Sequence, residues 1–115
     1  MASHRDLIAW QRAQSLAASV HSATRGAVRA REPALVDQLR RAVFSIAANI
    51  AEGHGYGSPG QFRRFLSIAL GSAAEADSHL EALGTIEALN PADVLEFRDE
   101  LTVVRRMVMK LRQKC

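Results

Sequence analysis

Apolar residues recur at alternating spacings of four and three along much of this chain, and that period is what most restricts its fold. One such stripe consists of Phe62, Leu66, Ala69, Ala73, Ala76, Leu80 and Leu83. Another consists of Val94, Phe97, Leu101, Val104, Val108 and Leu111. A period near 3.6 residues indicates amphipathic α-helices, each of which buries one face against its neighbours.

Residues that start and stop helices separate four segments with this period. Pro33, Ser58-Pro59 and Asn90-Pro91 are typical helix starts, and the glycine-rich turn 53–57 is a typical helix end. We therefore predict helices over about residues 6–24, 33–53, 58–88 and 91–113. Because short connections join antiparallel neighbours, residues 1–115 are predicted to form one all-α domain, an antiparallel up-and-down four-helix bundle. The connection 25–32 is the longest, and we expect it to be flexible.

Several classes of protein are disfavoured by what the chain lacks. No apolar run approaches the roughly 20 residues of a membrane span, and the first residues lack the apolar core of a signal peptide, so we expect a cytoplasmic protein. The single cysteine, Cys115, allows neither an internal disulfide nor a cysteine metal site. The glycine turn lacks the Gly-Lys-Ser/Thr of a phosphate-binding loop. We expect no catalytic residue, no cofactor and no metal.

The histidines offer the remaining candidate chemistry. Glu75 and His79 are four residues apart and could hold a metal, although an exposed hydrogen bond within one helix is the commoner role of such a pair. His54 stands between two glycines at a predicted helix end. A C-terminal cap that favours the helix dipole is a simpler role for it than a general base.

The second predicted helix has three distinct faces. Leu39, Val43, Ile46 and Ile50 form its core face, and a polar stripe consists of Gln38, Arg41, Ser45, Asn49 and Glu52. We interpret the polar stripe as structural, with mutual hydrogen bonds that fix helix register, although a ligand site is the alternative. The third face is apolar, which indicates either a central helix or a helix that contacts another subunit.

A subunit contact is the interpretation that we favour for this third face. Its members are Phe44, Ala47, Ala48 and Ala51, to which we add Gly71, a helix-interior glycine whose cost calls for close approach of another helix. Residues 1–72 are basic and residues 73–100 are acidic, so unlike patches attract. Contact between unlike patches is the geometry that closes a ring.

Basic residues on the last helix are the main sign of a partner. They are Arg98, Arg105, Arg106, Lys110, Arg112 and Lys114. Residues 101–115 hold no acid, and the net charge of the chain is +3. Such stripes suit a nucleic-acid backbone, which needs cations at intervals, although a solvated face is the alternative. We expect no aromatic interleaving for base stacking, because Trp10 and the phenylalanines are assigned mostly to the core.

One stretch resembles a known family. The run from Leu39 to Gly53 contains Arg-Arg-Ala and Asn-Ile-Ala-Glu-Gly, and Gly71-Ser72 follows within Ala-x-Gly-Ser. With the opening Asp6-Leu7-Ile8-Ala9-Trp10, these elements resemble the bacterial four-helix-bundle proteins encoded in intervening sequences of large-subunit ribosomal RNA genes. The resemblance covers about residues 5–83. The chain departs from that family at Ala47, where Pro is frequent, and at Tyr56, where a basic residue is frequent.

The resemblance implies a homopentameric ring. It also implies a distant relationship to the accessory variability determinant proteins of diversity-generating retroelements, which bind RNA and reverse transcriptase. We therefore expect a non-enzymatic, ring-forming binding module associated with RNA. A protein–protein assembly scaffold with no direct nucleic-acid contact is the alternative.

Overall fold

The computed structural model describes residues 3–115 and contains four long helices and one short one. After a 3-10 turn at His4–Asp6, the helices are α1 (Ile8–Ala23), α2 (Ala27–Arg31), α3 (Pro33–Gly55), α4 (Pro59–Thr85) and α5 (Pro91–Gln113). Within the described residues there is no strand. The predicted all-α four-helix bundle is confirmed.

The four long helices alternate in direction around a square. Helix α3 packs against α1 and α4, and α5 closes the square by packing against α4 and α1. The result is a rod with extents of 44 × 19 × 19 Å. Side chains fix the register between neighbours: Arg12 pairs with Glu100 across α1 and α5, and the Ser45 and Ser72 hydroxyls lie 2.9 Å apart across α3 and α4.

The core is the single apolar interior that the four stripes predict. Its fully buried large side chains include Leu39, Ile46, Leu66, Leu80 and Leu101. Thr24, which follows α1, is the buried polar residue of the described chain. Its hydroxyl donates to the Val20 carbonyl and accepts from Arg40 Nε at 3.0 Å, so Arg40 of α3 secures the C-terminal end of α1.

Two predicted helix ends differ from the observed ones, and each difference has a local cause. Helix α3 does not end at Gly53 but continues to Gly55, and Gly57 takes the left-handed conformation at φ +74°. Helix α4 ends at Thr85, because Glu87 has φ 58°. The connection 25–32, expected to be flexible, contains the short helix α2, which Arg29 links to Asp37 of α3.

Gly53, which the sequence pattern assigns to the turn after the second predicted helix, has a packing role inside α3. Gly53 is buried, and a β-carbon built there would lie 2.6 Å from Phe65 Cβ and 3.2 Å from Phe62 Cδ1. The last turns of α3 and the first turns of α4 therefore approach each other closely at this residue.

Candidate nucleic-acid interface

Folding sorts the charges towards opposite ends of the rod. The antiparallel helices bring residues 3–14, 45–71 and 103–115 together in one half, which we call the basic half; it holds nine Lys and Arg against two acids. Residues 15–44 and 72–102 form the acidic half, with six Arg against ten acids. The net formal charges are therefore +7 and −4, respectively, with His neutral. The basic half is therefore the surface that attracts a negatively charged partner.

Four of the six basic residues predicted on α5 are exposed and unpaired. Arg105, Arg106, Lys110 and Lys114 have no acidic side chain within ion-pair distance among residues 3–115. Arg112 is half-buried and donates to the Ser67 hydroxyl at 3.3 Å. These five residues all lie in the basic half.

Arg98 is a correction to the predicted set. It lies in the acidic half, where its Nε donates to Asp77 Oδ1 of α4 at 2.8 Å. This hydrogen bond and the charge of Asp77 raise the pKa of the Arg98 guanidinium. Because Asp77 neutralises it locally, Arg98 serves to join α4 to α5 and is removed from the candidate phosphate contacts.

Two further cations join the basic half from α4. Arg63 donates to the backbone carbonyl of Cys115 at 2.5 Å, and Arg64 lies exposed one residue later. Nothing in the sequence links these arginines to α5, because Arg64 and Arg105 are 41 positions apart. One signal in the sequence could have indicated them. Two adjacent arginines lie near a helix N-terminus, where the helix dipole disfavours cations, so their presence there suggests a role other than helix stability.

Aromatic side chains reach the surface of the basic half, although no aromatic interleaving was expected from the assignment of Trp10 and the phenylalanines mostly to the core. Tyr56 is 56% exposed and stacks on Phe65, with ring centroids 5.3 Å apart and an angle of 15° between the planes. The Arg64 guanidinium carbon lies 5.7 Å from the centre of the Phe65 ring. His54 and Phe62 make a second pair, edge to face, at 5.8 Å.

A cavity of about 370 Å³ opens beside the second aromatic pair. It lies between the α3–α4 turn and the end of α5, and its walls include His54, Phe62, Leu111 and Lys114. The walls are mostly apolar, with the lysine as the cationic member. The volume falls within the roughly 300–1,000 Å³ of small-molecule sites.

The predicted polar stripe of α3 divides into two groups. Asn49 Nδ2 donates to the carbonyl and the hydroxyl of Ser45, at 2.8 and 2.9 Å, and Ser45 reaches Ser72 of α4. The other members, Gln38, Arg41 and Glu52, are exposed and form no side-chain hydrogen bond within residues 3–115. The hydrogen-bonded group therefore comprises Ser45, Asn49 and Ser72.

The predicted subunit face needs a similar revision. Phe44 is 39% exposed, Ala48 is exposed and Ala51 is half-buried, whereas Ala47 is buried inside its own chain and is removed from the set. Gly71 is exposed, and a β-carbon built there would have no neighbour within 4 Å apart from its own helical turn. No helix of the same chain accounts for this glycine, which leaves the subunit contact as a hypothesis.

The other sites weighed from the sequence show ordinary surroundings. His79 Nε2 lies 3.8 Å from Glu75 Oε1 on the same helix. In the described part of the chain, no three His, Cys, Asp or Glu side chains converge as a metal site requires. None of the helices in residues 3–115 combines the length and the apolar character needed to cross a membrane.

Comparisons with known proteins agree with this architecture. A crystal structure of a protein of unknown function from the S23 ribosomal protein family of Bacteroides thetaiotaomicron VPI-5482 matches with a TM-score of 0.86 and 22% identity. The match covers 92% of this chain and 96% of that one, and at this identity it shows the shared fold. No curated protein matches the chain.

The family assignment rests on a match along nearly the whole sequence. The family described as "23S rRNA-intervening sequence protein" matches residues 5–110. That range includes all four long helices up to Lys110 and extends beyond the residues 5–83 that carried the resemblance. The chain belongs to the 23S rRNA-intervening sequence protein family.

Proposed function

We propose that this protein is a non-enzymatic, ring-forming binding module, pentameric as the resemblance implies, that associates with RNA through its basic half. The observation that carries the proposal is the separation of charge along the bundle. The unpaired cations of α5 share the basic half with Arg63 and Arg64 of α4, Arg63 contacts the carbonyl of Cys115, and residues 101–115 hold no acid. Nucleic-acid binding without sequence readout needs such a surface and no catalytic group.

The family's association with ribosomal RNA intervening sequences supports an RNA partner over other polyanions. The exposed faces of α3 and α4 support self-association, because Phe44 and Ile68 are 39% and 42% exposed. Apolar side chains of this size at the surface of a small domain favour contact with another protein surface. The same residues support the second candidate, a protein–protein scaffold with no direct RNA contact.

Salt-dependent binding tests the RNA proposal. The probe is a fluorescein-labelled RNA of mixed A and C, which cannot pair with itself, and the measurement is fluorescence anisotropy at increasing KCl concentrations. Binding should weaken steeply with salt. Reversing Arg106, Lys110 and Lys114 to Glu should abolish measurable binding. If weak binding persists, the slope of log K against log salt should be smaller by about two, because each lost phosphate contact on a single strand contributes about 0.7.

The matched control reverses three exposed cations of the acidic half, Arg25, Arg31 and Arg41. It makes the same change in net charge but should leave most of the affinity intact. Circular dichroism and light scattering establish that both triple variants keep their helices and their assembly. Equal losses in the two triple variants, or a parent affinity that does not respond to salt, would favour the scaffold.

A further inference from the structure

The α3–α4 turn carries an aromatic surface that the phosphate-binding proposal does not use. Tyr56 follows α3 immediately, and its ring lies nearly parallel to that of Phe65 on α4. Phe65 is half-buried, whereas more than half of the tyrosine surface is exposed. We call Tyr56, Phe65 and Arg64 the aromatic platform.

The helix packing beneath it holds the aromatic platform in place. Gly53 lets α3 approach so closely that an added β-carbon would stand 2.6 Å from Phe65 Cβ. Phe65 therefore has a fixed backbone position, and Tyr56 lies three residues beyond the contact. A ring supported in this way loses little conformational freedom when a second flat group stacks on it.

The charge around the platform narrows the class of partner. Arg64 lies against Phe65, and the platform belongs to the half of the bundle with a net charge of +7. An exposed tyrosine, a supporting ring and a neighbouring arginine match the needs of an unpaired nucleotide, whose base stacks on a ring while its phosphate contacts a cation. Bases inside a duplex are already stacked on one another and cannot offer a free face.

We infer that the platform stacks an unpaired base, and that the protein therefore discriminates single-stranded RNA from duplex RNA. The inference rests on the proposed function and specifies its substrate class. Stacking on Tyr56 supplies affinity that does not depend on salt, whereas the cations of α5 supply the part that does.

Variants at position 56 test the inference with two probes. The mixed A and C RNA is titrated free and annealed to its complement, with the parent, Tyr56→Ala and Tyr56→Phe. Tyr56→Ala should lower single-strand affinity about tenfold, within the range for loss of one stacked base, and leave duplex affinity unchanged. The salt slope should not change because no charge is removed. Tyr56→Phe, which keeps the ring, should bind as the parent does.

The control variant is Ile86→Ala, which truncates an apolar side chain of similar exposure, 51%, in the acidic half. It should not affect either probe. Unchanged single-strand affinity in Tyr56→Ala, or equal losses of affinity for both probes, overturns the inference. In either case, salt-dependent RNA binding by the parent still supports the proposed function. A parent that binds neither probe overturns both. A lower assembly mass of Tyr56→Ala in light scattering assigns the platform to a second copy of the chain and also overturns the inference.

Discussion

Replacing Gly53 by alanine tests whether the close approach of α3 and α4 at the basic half is as tight as the structure shows. Helix propensity alone favours alanine over glycine by about 1 kcal/mol, because glycine loses more backbone freedom on folding. The added methyl group, however, would meet Phe65 Cβ at 2.6 Å and Phe62 Cδ1 at 3.2 Å. Carbon atoms prefer separations of about 3.5–4.0 Å, so the two helices must move apart.

The two effects on Gly53→Ala oppose each other, and their magnitudes decide the sign. Overpacking a well-filled contact typically costs about 1–3 kcal/mol. Phe65 Cβ is attached directly to the backbone of α4 and cannot rotate away, so the cost should lie near the top of that range. After the gain in helix propensity, we expect a net destabilisation of about 1–2 kcal/mol.

Gly60→Ala is the matched control, since it makes the same chemical change in the first turn of α4, at an exposed position outside the proposed subunit contact. Apart from its own helical turn, no atom lies within 4 Å of the added carbon, so this variant should be stabilised by about 0.5 kcal/mol. Urea denaturation followed by circular dichroism at one fixed protomer concentration measures both variants, because assembly makes apparent stability depend on concentration. Opposite signs are expected. If Gly53→Ala is as stable as the parent, or if both variants are stabilised, the reasoning about this contact is wrong.

Two further variants examine α3. Phe44→Glu should lower the mass measured by light scattering from several subunits towards one, because a charge would be buried in the proposed contact. Leu95→Glu, at a 63% exposed position, should leave the mass unchanged. A monomeric parent at tens of micromolar would refute the ring. Asn49→Leu should lower the free energy of unfolding by about 1 kcal/mol, because Ser45 loses its two hydrogen bonds with the Asn49 side-chain amide. Gln38→Leu, at an exposed position on the same stripe, should have little effect on that free energy. Unchanged unfolding of Asn49→Leu would show that these bonds contribute nothing to stability.

The sequence predicted the bundle because burial on one face of a helix leaves a period that can be counted. Leu39, Val43, Ile46 and Ile50 were assigned to the core from spacing alone, and all four are fully buried. Helix starts were also predictable, since Ser58 and Asn90 cap α4 and α5 through bonds within three residues. Local rules of this kind need no knowledge of the rest of the fold.

What the sequence could not supply depends on contacts between helices. Gly53 has the residue type of a helix end, and only its distance from Phe65 shows that it serves packing instead. Arg98 matches the seven-residue spacing of Arg105 and Arg112, yet Asp77 on α4 removes it from their group. The candidate interface depends on which side chains the helix register brings together, and a periodic pattern does not contain that register.

Cyclic assembly would change what the separation of charge can do. Rotation about one axis carries each basic half to an equivalent position, so every subunit of a ring would present its cations and its aromatic platform at the same height. One RNA could then contact several subunits, and each additional contact would be an intramolecular event at high effective concentration. A variant that breaks the ring, such as Phe44→Glu, should therefore weaken RNA binding without touching RNA. In Phe44→Glu fewer subunits contact each RNA, so the slope of log K against log salt should be smaller than in the parent. Tyr56→Ala should leave that slope unchanged.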